Sequence, residues 1–393
     1  MISIKNLFEI GYGPSSSHTI GPAKAALYVK EKYTFAVYFK IILYNSLNLT
    51  GEGHATKESI SRYLPDATYE LKKDNKKHPN LFYIIPYDSN MNELDKIEFI
   101  SVGGGLLLIN GSPLIENDVY KETNFKDIKN YCINSKIGLY EYITKNEGDL
   151  SYMDEVFDVM ISEVRDGLKK DGLLPGVLKV SRKAKALFLE EPEEKRNLIS
   201  AFAYAASEEN ASSNLIVTAP TCGACGVIPA IVYYLYNYEN VTRKLLIEGL
   251  IIAGLIGNII RENATISGAV GGCQAEIGSA TAMASAMLTY INSGTLDMIE
   301  CAAEISIEHS LGLTCDPVRG YVQIPCIERN VLAALRALDC ASLAKSIYKN
   351  RKISLDTIIK TMYQTGKDLK AKYRETSLGG LALNWGDDEF NCW

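Results

Sequence analysis

The chain has 393 residues, of which 47% are hydrophobic and 22% are charged. This is enough apolar sequence for two or three domains with buried cores, so we expect a globular protein. Lysine and arginine number 41 against 47 aspartates and glutamates, a formal net charge of -6 with no long basic block. These features argue against a nucleic-acid-binding surface and an anchor to anionic membranes, and they favour a small molecule as the partner.

The N-terminal residues MISIKNLFEIGYGP do not resemble a signal peptide. They lack a basic start, an apolar core and a small-residue cleavage site. This pattern predicts a cytosolic protein, in which the nine cysteines are not expected to form a disulfide framework. Thiols that cluster in sequence therefore indicate metal ligands or redox groups.

The first 145 residues mix two kinds of local pattern. Short β-rich runs such as FAVYFKIILY and LFYIIPY alternate with the glycine turns GEGH and SVGGG and with helical patches. The mixture predicts an N-terminal α/β domain over residues 1–145.

Two glycine-rich turns in this region carry histidine. GYGPSSSHTIGPAKAA places serines, His18 and a threonine at the start of a helix, where hydroxyls and free amides can bind a carboxylate. A plain serine cap is the alternative, and His18 is the reason to prefer a binding site. The turn NSLNLTGEGHATK carries Ser46 and His54. The other two histidines, His78 and His309, have no such context and are expected to be ordinary surface or core residues.

From about residue 150 the pattern becomes helical. Long periods such as NLISAFAYAASEENA and NVLAALRALDCASLAKSIYK predict a mostly α-helical domain over residues 150–393. The fold class predicted for the whole chain is α+β. The stretch 245–260 is the most apolar, but it carries Glu248 and is shorter than the roughly 20 residues of a membrane span, so it predicts a buried helix.

Cysteines in the helical region fall into different settings. Cys273 lies where a glycine-rich stretch enters a helix, and Cys315 and Cys326 flank an irregular loop. Thiolates on such turns suit an iron-sulfur cluster, although the spacing alone leaves open that all three are core residues. Cys301 and Cys340 lie inside helical periods and are expected to be small buried hydrophobic residues.

The pair Cys222-x-x-Cys225 competes with these three thiols. Its spacing suits zinc or a dithiol redox pair. The signal is weak, because no second C-x-x-C or nearby H-x-x-H completes a set of four ligands.

Eight stretches carry a resemblance to a known family. In chain order they are GPSSSHTIGPAKAA, LTGEGHATK, SVGGG, LPGVLKVSRKA, TAPTCGACGVIPA, SGAVGGCQAEIGSA, CDPVRGYVQIPCIERN and KYRETSLGGLAL. Together they resemble the iron-sulfur-dependent L-serine dehydratases, also called L-serine ammonia-lyases, in that family's order. CDPV followed by VQIPCIERN, together with GCQAE, is the specific part of the match.

The resemblance implies a cofactor and a reaction. A 4Fe-4S cluster would be held by Cys273, Cys315 and Cys326, which leaves one iron open as a Lewis acid for the hydroxyl of L-serine. A base would take the Cα proton, with His54 as first choice and His18 as second, because neutral imidazole suits that task. The products would be pyruvate and ammonia.

The resemblance also implies substrate-binding residues. The carboxylate would be held by Ser15, Ser16, Ser17 and Thr19, and lesser candidates are Ser46, Lys179, Thr218 and Arg329. The catalytic site would lie between the N-terminal domain and the helical domain, a common place for small-molecule sites. A homodimer is expected from the resemblance.

The sequence departs from the family in three places. Cys222 and Cys225 stand where the family more often has asparagine or small residues, so we expect them near the site without being ligands. The N-terminal domain is shorter than in typical single-chain members and has no visible regulatory domain, which puts allosteric control in doubt. The chain ends in WGDDEFNCW, and we hypothesise that Cys392 caps the fourth iron until substrate displaces it; a frayed terminus is the alternative.

Three other functions stay open at this point. A cysteine-desulfidating lyase would use a similar cluster, and a redox sensor or electron carrier would use Cys222 and Cys225. A pyridoxal-phosphate dehydratase needs a Schiff-base lysine in a phosphate-binding context, which LKVSRKAK alone does not supply.

Overall fold

Helices and one larger sheet make up the chain, and the α+β fold class predicted from the sequence is confirmed. The structure is a computed structural model that describes residues 1–73, 77–114, 118–190 and 193–386. Its strands are β1 (Ile10–Tyr12), β2 (Tyr38–Tyr44), β3 (Thr68–Lys72), β4 (Leu81–Tyr87), β5 (Ile97–Gly103), β6 (Leu106–Ile109), β7 (Ser112–Pro113) and β8 (Leu215–Val217).

The α-helices lie mostly after the larger sheet. They are α1 (Gly21–Lys32), α2 (Asn45–Leu49), α3 (Thr56–Ser61), α4 (Phe125–Ser135), α5 (Leu139–Glu147), α6 (Tyr152–Gly167), α7 (Ala184–Glu190), α8 (Lys195–Ala211), α9 (Val227–Asn237), α10 (Arg243–Asn263), α11 (Gly268–Gly271), α12 (Ser279–Ile291), α13 (Leu296–Ser310), α14 (Cys326–Ile347), α15 (Leu355–Asp368) and α16 (Gly380–Asn384). Within the described residues, none of them is both long and apolar enough to span a membrane.

The larger sheet has six strands in the order β3-β2-β4-β5-β6-β7. β2 pairs parallel with β3 and antiparallel with β4, and the remaining pairs are antiparallel. Alternate side chains of the central strands, including Ile41, Phe82 and Phe99, are fully buried in one cluster with side chains of α1. The period-two alternation therefore forms one covered face, and the two β-rich runs quoted above are its central strands.

The turn between β5 and β6 needs its three glycines. Gly103, Gly104 and Gly105 have φ values of 104°, 59° and 78°, which residues with a Cβ rarely adopt. A Cβ on Gly103 would also lie 3.2 Å from the Cβ of Ser267 in the helical part. This turn thus brings the sheet directly against the helices.

The helical part packs around α12 and α10. The small residues of these helices allow close approach, since a Cβ on Gly257 of α10 would lie 2.7 Å from Sδ of Met283 on α12. The apolar stretch 245–260 lies in the buried helix α10, as predicted.

The two ends of the N-terminal region also belong to the helical core. Ile4, Leu7 and Phe8 share one buried cluster with side chains of α4, α5 and α10. β1 then pairs antiparallel with β8, so that Ile10 lies opposite Val217. The chain therefore begins in the helical core, leaves it to form the sheet, and returns to it afterwards. The turns around residues 15–20 and 50–55 lie where the sheet and the helical core meet.

Candidate active site

Two buried histidines meet at the boundary between the sheet and the helices. His18 lies in the turn Ser16–Ile20, which runs directly into α1, and His54 lies in the turn between α2 and α3. Their ring centroids are 4.5 Å apart with an angle of 27° between the planes. Both rings are almost fully excluded from solvent. The structure therefore brings the two predicted base candidates into contact.

Hydrogen bonds inside the serine-rich turn fix the position of these rings. The hydroxyl of Ser15 accepts the backbone amide of His18 at 3.2 Å, and the amide of Ser15 donates to the hydroxyl of Thr19 at 3.1 Å. The hydroxyl of Thr19 in turn donates to the carbonyl of His54 at 2.7 Å. Ser16 is likewise buried. Of the four predicted carboxylate-binding hydroxyls, those of Ser15, Ser17 and Thr19 are thus engaged by neighbours within the described residues.

The hydrogen bond of His54 defines its tautomer. Nδ1 lies 2.8 Å from the carbonyl oxygen of Thr50. A carbonyl can only accept, so Nδ1 carries the hydrogen. In the neutral ring Nε2 is then a free lone pair.

The same reasoning assigns the tautomer of His18. The hydroxyl of Ser46 has one hydrogen, which it donates to the backbone carbonyl of Glu375 at 2.6 Å. It must therefore accept from Nε2 of His18, which lies 3.0 Å away. Nδ1 of His18 then accepts from the hydroxyl of Ser17 at 2.8 Å. Both ring nitrogens of His18 are engaged.

Burial keeps the His18 ring neutral. The loss of hydration lowers the pKa of His18 to about 4, because the charged form is the one that water stabilises. The Glu375 carboxylate opposes this shift, while the neighbouring His54 adds to it.

Glu375 lies beside both rings, although no sequence reasoning singled it out. Its Oε1 is 3.5 Å from Nε2 of His54 and 3.6 Å from Nδ1 of His18, and its side chain is 7% exposed. Burial raises the pKa of this carboxyl, but the two histidines and the amide of Ala269 outweigh burial and leave the pKa below its ordinary value. Only its place in KYRETSLGGLAL, a stretch that resembles the family, could have drawn attention to it.

A backbone pairing joins this carboxylate to the cysteines. The amide of Cys315 donates to the carbonyl of Tyr373 at 2.8 Å, and the amide of Glu375 donates to the carbonyl of Cys315 at 2.7 Å. Glu375 itself has a φ of 54°, which turns the chain sharply at this point. The histidine group and the thiol group are therefore parts of one site.

The three predicted cysteine ligands come from three segments near Arg329. Cys273 precedes the turn Gln274–Gly278, Cys315 lies in the extended pairing, and Cys326 is the first residue of α14. Sγ of Cys273, Sγ of Cys315 and a carboxylate oxygen of Glu276 lie within 4.8 Å of one another. The charges of all three cysteines raise the pKa of Arg329. The structure thus places Cys273 and Cys315 side by side, with Cys326 near enough to interact with the same cation.

Charge and burial set the pKa values of these thiols. The hydrogen bond from Cys315 and the charge of Arg329 lower the pKa of Cys273 to about 6 in spite of burial. The pKa of Cys315 is well above its ordinary value because of its Cys273 neighbour and burial, and burial does the same for Cys326. One thiolate is therefore favoured and two thiols stay protonated in the folded chain alone.

Space and donor chemistry beside the thiols fit an iron-sulfur cluster. A Cβ on Gly268 would lie 3.1 Å from Sγ of Cys315 and 2.5 Å from Oε2 of Glu276, so the space there depends on glycine. Glu276 is buried against Thr221, whose hydroxyl donates to it at 2.8 Å, and burial raises its pKa well above the ordinary range. Two buried thiols, a half-buried third and a nearby cation make a donor set that such a cluster could use.

Three other predicted residues have different surroundings. Lys179 is exposed, and within the described residues no hydrogen bond or ion pair joins it to the histidines or thiols. Thr218 is fully buried, where its hydroxyl accepts the amide of Glu9 at 2.9 Å. Cys392 lies outside the described residues.

The pair Cys222 and Cys225 lies in a small apolar cluster with Ile20 and Ile216. Burial raises the pKa of both thiols well above the ordinary range. A reactive dithiol needs a lowered pKa, so this setting favours structural residues.

A cavity of about 820 Å³ opens next to the buried site. Its lining includes Ser46, Ala269, Arg374 and Thr376, which all adjoin the histidines or Glu375. This cavity is the concave space nearest to the histidines, and small-molecule sites usually lie in such spaces.

Comparison with known proteins identifies two adjacent family matches. The description "Serine dehydratase beta chain" matches residues 3–65, and "Serine dehydratase alpha chain" matches residues 72–382. The L-serine dehydratase of Haemophilus influenzae is 35% identical over 98% of this chain and 99% of its own length. L-serine dehydratase 2 of Escherichia coli is 36% identical over 98% of this chain and 99% of its own length. The L-serine dehydratase of Helicobacter pylori is 36% identical over 97% of this chain and 98% of its own length.

Proposed function

We propose that this chain, which belongs to the serine dehydratase family in its single-chain form, is a lyase that eliminates water from L-serine to give pyruvate and ammonia. The observation that carries the proposal is the direct pairing of Glu375 with Cys315, which joins a proton-accepting group to a thiol group. The elimination needs both: a base for the weakly acidic Cα proton, and a group that stabilises the departing hydroxide.

We assign the thiol group to the cofactor. Cys273, Cys315 and Cys326 would hold a 4Fe-4S cluster, and Arg329 would balance the charge of their thiolates. When bound through three cysteines, such a cluster supplies a Lewis-acidic iron for the leaving oxygen.

We assign the base to His54. Its Nε2 lone pair is free, and the Nδ1 hydrogen bond to Thr50 fixes the direction in which it points. His18 has no free lone pair, since Ser17 and Ser46 engage both nitrogens. We therefore assign His18 a positioning role, in which its ring fixes the Ser17 and Ser46 hydroxyls beside His54.

The substrate carboxylate would bind at the serine-rich turn. Ser16 is the best placed of the predicted hydroxyls, because Ser15 and Thr19 already hold the turn. The first amides of this turn, at the start of a helix, add further donors for an anion.

The function can be tested on one anaerobic preparation. We expect a brown protein with about four irons per chain that forms pyruvate from L-serine and loses this activity in air. L-cysteine in the same assay separates the desulfidating alternative, which would form pyruvate faster from L-cysteine. A colourless but active protein would contradict the cluster, and a brown protein inactive on L-serine would contradict the substrate.

Two further expectations accompany this proposal. A homodimer should appear in sedimentation experiments on the same preparation. If Cys392 caps the cluster, Cys392→Ser should change the resting cluster spectrum and the apparent affinity for substrate. Unchanged values of both would contradict the cap.

A further inference from the structure

We infer that Glu375 binds the α-ammonium group of the substrate and thereby makes the site select α-amino acids over the matching α-hydroxy acids. The inference rests on the proposed function, because it concerns the same site. Glu375 would then bind substrate in addition to linking the histidines to the cysteines.

The site presents acceptors without a matching donor. Nε2 of His54 and Oε1 of Glu375 face each other at 3.5 Å, and in the neutral ring both are acceptors. Oε2 of Glu375 is buried and has no hydrogen-bond partner of normal geometry within the described residues. The backbone amide of Ala269 is a nearby donor, but it carries no charge. A buried arrangement of this kind is costly until a donor enters it.

Within the described residues, no lysine or arginine forms an ion pair with Glu375. In the described part of the chain, the ion pairs of Glu375 are limited to the two histidines. The guanidinium of Arg374, the next residue, donates instead to the carbonyl of Val270 at 3.3 Å. An ammonium group brings one positive charge and three N–H donors, which matches what the carboxylate lacks.

A divalent cation is the competing occupant. His18, His54 and Glu375 together could hold a metal ion, since their ligand atoms lie within 4.8 Å of one another. Nδ1 of His18, however, already accepts from Ser17 at 2.8 Å. That leaves one imidazole nitrogen and one carboxylate, fewer ligands than protein sites for zinc normally use.

The position also suits the reaction. In L-serine the ammonium group and the proton to be removed are on the same carbon. Nε2 of His54 and Oε1 of Glu375 lie side by side, so one acceptor serves each group. The neighbouring cavity is lined by Arg374 and Thr376, the residues on either side of Glu375.

Glu375→Gln tests the role, because it keeps the shape and removes the charge. On the anaerobic holoenzyme, the KM of L-serine in the pyruvate assay, or its Kd by calorimetry if no pyruvate forms, should rise by about 10- to 100-fold, the range of a charge-assisted hydrogen bond. Binding of L-glycerate, which carries a hydroxyl in place of the ammonium, should change less than about threefold. Equal weakening of both ligands, or unchanged L-serine binding, would overturn the inference.

Two controls sharpen the result. Glu163→Gln changes another buried carboxyl group, whose Oε2 accepts the amide of Val217 at 2.9 Å and whose Oε1 has no partner within the described residues. It should leave both affinities unchanged. If Glu375→Gln does not fold, the wild-type protein decides: it must bind L-serine at least about tenfold more tightly than L-glycerate. Equal affinities would overturn the inference, as would a tightly bound divalent ion in addition to the cluster that is lost in Glu375→Gln.

The two proposals fail separately. If L-serine yields no pyruvate but the discrimination between ligands holds, the proposed reaction is wrong and the ammonium site stands. If L-serine yields pyruvate but Glu375→Gln weakens L-serine and L-glycerate equally, the proposed reaction stands and the ammonium site is wrong.

Discussion

The histidine half and the thiol half of the site are held in place in different ways. Around His18 and His54, hydrogen bonds within residues 15–54 fix the positions of both rings, while Nε2 of His54 and the Glu375 carboxylate stay without a matching donor. Around Cys273, Cys315 and Cys326, the Cys273 neighbour and burial oppose the loss of the Cys315 proton, and burial opposes the loss of the Cys326 proton. The protein alone therefore fixes the geometry of the histidine half, whereas the thiols of the other half would lose their protons only to the cluster that they are proposed to hold.

The largest expected effect breaks the thiol half. Cys315→Ser should remove the cluster and reduce activity to background, since a hydroxyl is a poor iron ligand. Iron quantitation and pyruvate assays on the same sample measure both. Cys340→Ser, a change at a helix-buried thiol, should retain iron and activity. Full iron in Cys315→Ser would contradict the ligand assignment.

The second effect separates the two histidines. His54→Ala should lower kcat by about 10²- to 10⁴-fold, the usual contribution of a general base, at unchanged iron content. His18→Ala should lower kcat less, because His18 positions its neighbours. Steady-state kinetics of the two variants, each normalised to iron, compare them. A larger loss of kcat in His18→Ala would reverse the assignment.

The third effect concerns the pH dependence of stability in the histidine half. The pKa of folded His18 is about 4, below its ordinary value, so the unfolded chain binds more protons between these two pH values. This contribution is complete above the ordinary pKa and is lost as the pH falls toward 4. Urea unfolding should show about 2 kcal/mol lost from this group between pH 7 and pH 5.

His18→Asn should remove this part of the pH dependence. The groups that face His18, Glu375 and His54, remain in the variant and account for what is left. An unchanged slope of stability against pH in His18→Asn would show that burial of a neutral ring is not its cause.

The smallest effect probes the space beside the thiols. Gly268→Ala would place a Cβ 2.5 Å from Oε2 of Glu276, so we expect iron content to fall severalfold while the histidine half is unaffected. Gly138→Ala is a matched control, because nothing lies within 4 Å of its added Cβ. Iron content equal to wild type in Gly268→Ala would show that the cluster does not need this space.

The local parts of the fold could be predicted from sequence. Short β-rich runs indicate β2 and β4, and the apolar stretch 245–260 indicates α10, because apolar residues in such runs are buried in the fold. The glycine-rich settings and the resemblance together indicated the histidine pair and the cysteine trio.

The rest depends on contacts between distant segments. Glu375 lies in a stretch with no periodicity and acquires its place through a backbone pairing with Cys315 and a positive φ. Likewise, α4 and most of α5 fall within the predicted N-terminal domain of residues 1–145, but their apolar sides are buried in the helical core with Ile4. Local patterns report that a face is buried, but they do not report which partner covers it.

The burial of the first residues has a consequence for biosynthesis. Ile4 packs against Gly254 of α10, where an added Cβ would lie 3.0 Å from the Cβ of Ile4, so this contact cannot form until the ribosome has made most of the chain. The sheet strands, all within residues 38–113, can pair much earlier. We expect the sheet of the nascent chain to fold while its N-terminal segment is still unpacked, because α10 has not yet been synthesised. Contacts between segments this distant in sequence also favour slow folding.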